Sequence, residues 1–142
     1  MTEETQLVIM LRDKASGFLE KEYAAVVLAE FGEMEPLLVN VFAEEEDGGN
    51  TLIHMRVSTA QDVSDWQYNA IYDYYDTEVF AEAATSVIEM EDVFNPTWEL
   101  VFTAPHESEL AATMFVLLNI HSRELAEVFE AIADKESEYT NE

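Results

Sequence analysis

Leu37-Leu-Val-Asn-Val-Phe-Ala43, Glu44-Glu-Glu-Asp-Gly-Gly-Asn50 and Thr51-Leu-Ile-His-Met-Arg-Val-Ser58 read as strand, loop and strand. Pro36 breaks the chain just before, the loop is polar and carries two glycines, and both flanking runs alternate with a period of two. Centring the loop on Asp47 sets Val41 opposite Ile53 and Val39 opposite Met55. It sets Asn40 opposite His54 and Leu38 opposite Arg56 on the other side. Both strands then agree on which side is buried, so a hairpin with one core face is expected.

The chain upstream gives a second hairpin. Residues 6–12 and 18–31 are rich in Val, Leu, Ile and aromatics, and Asp13-Lys-Ala-Ser-Gly17 supplies turn residues between them. Pairing Arg12 with Phe18 puts Leu7, Ile9, Leu11, Leu19, Tyr23 and Ala25 on one face and Arg12 diagonal to Glu20 on the other.

Downstream the period changes to about 3.6. Val63, Trp66, Ala70, Ile71 and Tyr74 form one helical stripe; Asp62, Asp65, Asn69, Asp73 and Asp76 form another, with Thr59 or Asp62 to cap the start. This pattern turns Trp66 and Tyr74 inward and leaves Tyr68, Tyr72 or Tyr75 partly outside. Residues 79–84 extend that helix or form a short second one. Ile88 and Met90, then Trp98, Leu100 and Phe102, alternate with polar residues as two more strands. Beyond Pro105, Leu110, Met114, Leu117, Leu118, Leu125, Val128, Phe129 and Ile132 recur at helical spacing, with residues 119–122 as a possible break or kink. The expected fold is therefore α+β. A single domain over 1–142 has an antiparallel sheet of about six strands built from hairpins, with a central helix and a C-terminal helix or helix pair packed on it. Residues 1–5 and 137–142 are expected to fray.

A chain of 142 residues with 49% apolar content can bury a core of its own. There is no cysteine, so disulfides, thiolate nucleophiles and cysteine-ligated metals are excluded. The acidic first residues and the short apolar runs at 7–11 and 111–118 match neither a secretory signal nor a membrane span, and a cytoplasmic protein is expected. Six Lys and Arg against 31 Asp and Glu give a net charge of −25. Such a surface disfavours nucleic acid and anionic membranes as partners.

Motifs for chemistry are lacking. His54, His106 and His121 stand in no pair that would bring two ligands to one helical face, and no nucleophile elbow or glycine-rich phosphate loop is present. No catalytic residue, metal ligand or cofactor is assigned, and a non-enzymatic role is expected. His121 falls at the edge of a packed stripe, and His54 lies on a polar sheet face beside Arg56. Glu44-Glu-Glu-Asp47 and Asp73-Tyr-Tyr-Asp76-Thr-Glu78 concentrate carboxylates but do not match a calcium loop. The six cations are scattered.

The acidity has three readings. It can steer a basic protein partner, in the sharpest form by imitating DNA phosphates. It can serve only solvation or salt adaptation in a housekeeping domain. The third is a small-molecule-binding protein with a pocket between sheet and helices, using His54, Arg56 and tyrosines. Spread over about 7,500 Å² of surface the acids are roughly half as dense as duplex phosphates, so mimicry needs them gathered on one face. The one line the sequence draws is Asp62, Asp65, Asp73 and Asp76. With Tyr72 and Tyr75 as anchors between the acids, these six residues are the expected surface for a basic partner.

Overall fold

A computed structural model of the protein describes residues 5–46 and 49–140. Within them the strands are β1 (Gln6–Arg12), β2 (Leu19–Val27), β3 (Leu38–Glu45), β4 (Thr51–Ser58), β5 (Ser86–Glu89) and β6 (Thr97–Thr103). The helices are α1 (Asp65–Tyr74), α2 (Glu107–Ile132) and α3 (Glu136–Thr140). One sheet holds the strands in the order β2-β1-β3-β4-β6-β5.

The α+β class is as expected, but the sheet is mixed and not antiparallel throughout. β1 runs parallel to β3, with Met10, Leu11 and Arg12 opposite Phe42, Ala43 and Glu44. The cause lies in the connection. β2 stops at Val27, four residues short of the expected end, and Leu28–Leu37 coils into 3-10 turns that carry the chain to the far side of β1. Gly32 takes a φ of 55° there, which costs glycine little, and Pro36 removes an N–H that a strand would need.

The β3–β4 hairpin keeps the expected faces with a register two residues different. Val41 pairs with Met55 and Ala43 with Ile53, while Asn40 faces Arg56 and Phe42 faces His54. Asp47, the expected loop centre, lies outside the described residues. An irregularity between Leu38 and Asn40 turns Val39 to solvent. In the first hairpin two bulges against β1 shift the parity of β2, so Ala24 and Val26 are buried in place of Leu19 and Ala25. In β5 Ile88 is exposed, and Val87, opposite Leu100, packs on the core instead.

Ile9, Leu11, Val41, Ala43, Ile53, Met55, Val57, Trp98, Leu100 and Phe102 line one face of the sheet. They pack with Leu110, Met114, Leu117, Leu118, Leu125, Val128 and Ile132 of α2. α2 runs unbroken through residues 119–122, because Leu117, Leu118, His121 and Leu125 keep the buried stripe continuous. Ser64 caps α1, donating its N–H to Gln67 Oε1 at 3.0 Å, a turn later than Thr59 or Asp62 would have. The helix ends at Tyr74, and Tyr75 follows with extended backbone. That swings Tyr75 into the core, while Tyr74 is 40% exposed, the reverse of the expectation from an uninterrupted helical stripe. Residues 77–80 form a separate 3-10 turn with Phe80 buried. Residues 1–4 and 141–142 of the expected frayed ends lie outside the described residues.

Candidate functional site

The outward side chains of β1, β3, β4 and β6 bring distant residues together on the sheet face away from the helices. The parallel register puts Arg12 beside Glu44, with Nε at 2.8 Å and Nη2 at 2.5 Å from Oε2. Cross-strand pairing on both sides of β4 puts His54 and Arg56 over Glu99. His54 Nδ1 is 3.1 Å from Oε2, and Arg56 Nε donates to Oε1 at 2.9 Å. Phe42 stacks on His54, with ring centroids 4.7 Å apart and planes 6° from parallel, and the Arg12 guanidinium lies 4.1 Å from the same ring's centroid. His54 Nε2, buried without a hydrogen bond, is 3.6 Å from Glu44 Oε1. The hydrogen bond from His54, reinforced by Arg56, holds the Glu99 carboxyl down to about 2. Flat side chains thus stack on this face and shield one another, with only His54 Nε2 of the imidazole left without a hydrogen bond.

Arg12 and Arg56 on this face pair with Glu44 and Glu99, and Lys14 of the following turn pairs with Glu46, which leaves three cations against 28 acids for the rest of the chain. The Glu44–Asp47 cluster is thereby accounted for at Glu44 and Glu46, and Asp47 lies outside the described residues. Among the described residues no hydroxyl nucleophile hydrogen-bonds to His54, and no group of three His, Asp or Glu is placed to hold a metal ion.

His121 lies inside the core. Its Nε2–H donates to the Ser58 carbonyl at 2.7 Å, and its Nδ1 accepts from Tyr75 Oη at 2.8 Å. Burial lowers its pKa to about 4, so the imidazole is neutral and both nitrogens are used. Tyr75 stacks on Trp98 at 4.1 Å, and burial pushes its phenol up. Tyr72 is also turned inward: its Oη donates to the Met90 carbonyl at 2.8 Å and accepts from Thr97 N–H at 2.9 Å. Neither tyrosine stands between the acids as an exposed anchor.

The four aspartates are exposed along the α1 side. Asp62 accepts from Asn95 Nδ2 at 3.1 Å, Asp73 from Tyr139 Oη of α3 at 2.7 Å, and Asp76 from the Glu78 N–H at 3.0 Å; Asp65 sits in the first turn of α1. None of the four forms an ion pair among the described residues. The sequence accounts for this, because no Lys or Arg occurs between Arg56 and Arg123. Packing of α3 against α1 brings Glu136 and Glu138 to the same side.

The sequence brought His54 and Arg56 to one face but missed Glu44 and Glu99 as their partners. Strand order was needed for both; for Glu99 the only local signal was its place among the alternating residues of β6. No helix of the described residues is long and apolar enough to cross a membrane. No curated protein and no solved structure matches the chain. A protein-family model does match, over residues 2–140, and by it the chain belongs to DUF6762, a family of unknown function.

Proposed function

We propose that this protein is a small acidic binding module that engages a basic protein partner, with the α1 side as the contact surface. The observation that carries this reading is the partition of charge. Half of the six cations, Arg12, Lys14 and Arg56, are taken up by Glu44, Glu46 and Glu99, which leaves three cations against 28 acids for the rest of the chain. On the α1 side Asp62, Asp65, Asp73 and Asp76 form no ion pair among the described residues, and such a field raises encounter rates with basic surfaces. DNA mimicry is the narrower form of the same reading. It draws less support, because Asp62, Asp73 and Asp76 are tied into the fold and the acids average about 280 Å² of surface each, sparser than duplex phosphates.

A binding role also suits His54 and His121 better than catalysis does. His54 is held by Glu99 under Phe42, and His121 is sealed between Tyr75 and Ser58. The test is affinity capture from a lysate of the source cells at low and near-physiological salt. The reading expects one basic protein retained near stoichiometry at the higher salt, with competing DNA as the check on mimicry. Elution of everything together as salt rises would make the charge a nonspecific field.

A further inference from the structure

The loop between β5 and β6, Glu91-Asp-Val-Phe-Asn-Pro96, is fastened at both ends, at Met90 and over Asn95–Thr97. Tyr72 Oη holds Met90 and Thr97, Ser58 Oγ donates to the Pro96 carbonyl at 2.6 Å, and Asn95 accepts from the Val63 N–H at 3.2 Å while donating to Asp62. Asp92 is held at a φ of 58°, a conformation few side chains other than Asn and Asp adopt readily. On this pinned backbone Phe94 is 79% exposed.

Two shallow grooves meet at Phe94. One runs onto the sheet face past Val93 and the 56% exposed Val39 to Arg56, whose guanidinium is paired with Glu99. The other runs along α1 past Tyr68 to Asp65. Exposed Asp62, Asp65, Glu91 and Asp92 flank this apolar seam, all from the stretch that contains no Lys or Arg. Aromatic side chains held in place before binding dominate interface energetics, since little ordering entropy remains to be lost.

We infer that Phe94 is the anchor of the partner-binding surface, and that its occupant is a basic amphipathic segment of a partner protein. The segment lays its apolar side chains over Phe94 and Val39 and directs its lysines or arginines to Asp62, Asp65, Glu91 and Asp92. This deepens the function proposed above and rests on it. Charge complementarity selects the occupant, because a second copy of this chain would set acids against acids.

The test compares binding of two synthetic peptides of equal length and equal positive charge at near-physiological salt, one lysine–leucine and amphipathic, the other lysine–glycine. The protein should bind the first at least about tenfold more tightly. Phe94→Ser should remove that preference while leaving the lysine–glycine affinity and the thermal midpoint unchanged. Phe18→Ser, at a 75% exposed phenylalanine beside the opposite edge strand, should keep it. A preference that survives Phe94→Ser, or is lost equally with Phe18→Ser, overturns the inference. Equal binding of both peptides overturns it while leaving the basic-partner function standing, and binding of neither removes that function as well.

Discussion

His121 spends both ring nitrogens inside the core, and this makes its protonation a direct readout of folding. Its pKa is lowered from 6.5 to about 4 by burial. A lowered value means that the unfolded chain binds the proton more tightly, so the contribution is whole above pH 6.5 and is lost as pH falls toward 4. The stability advantage of the native chain over His121→Gln, from urea midpoints, should therefore shrink by about 3 kcal/mol between pH 7 and pH 4. Comparing the two proteins cancels the opposing changes from Glu124, raised by burial, and Glu99. A constant gap would place the imidazole in solvent. Tyr75 and Tyr74 supply a second contrast. Tyr75→Ala should cost about 3–5 kcal/mol and Tyr74→Ala under about 1 kcal/mol by denaturation. Helical periodicity assigned these two the other way round, because it cannot show that the helix ends one residue before Tyr75.

The elements were legible where one local pattern decided them. The β3–β4 hairpin, α1 and the stripe of α2 all follow from periodicity, and a two-residue register error leaves the side chains from Asn40 onward on their own faces, Val39 and Leu38 being exchanged by the irregularity beside them. What periodicity could not reach was the relation between elements. The parallel pairing of β1 with β3 depends on the 3-10 turns at 28–37, and it alone brings Arg12 to Glu44. Bulges in β2 likewise depend on a partner strand. Residues 119–122 looked like a break because Asn and Ser have low helix propensity, yet the buried residues on either side outweigh it. Asn119 is exposed within α2, so Asn119→Ala should raise stability by about 0.5 kcal/mol and Asn119→Pro should lower it by about 3 kcal/mol or more. Similar thermal midpoints for the two variants would mean that α2 is interrupted there.

Across the whole molecule, charge governs behaviour more than any single contact. A net −25 implies self-repulsion that salt relieves, so the thermal midpoint should rise over the first few hundred millimolar NaCl. A flat midpoint would mean that the acids are too far apart to matter. The sequence showed the size of that charge and the aspartate line on α1. It did not show that half of the cations are taken up by Glu44, Glu46 and Glu99, nor that Phe94 is left bare, since both depend on strand order. The central claim is that the α1 side, and not acidity in general, recognises a basic partner. It is tested most directly by calorimetric affinity for the lysine–leucine peptide, comparing Asp65→Asn with Asp73→Asn against Glu20→Gln with Glu22→Gln on the exposed edge strand β2. The account predicts that the first pair weakens binding several-fold more than the second at equal change of net charge. Equal weakening by both pairs would contradict it.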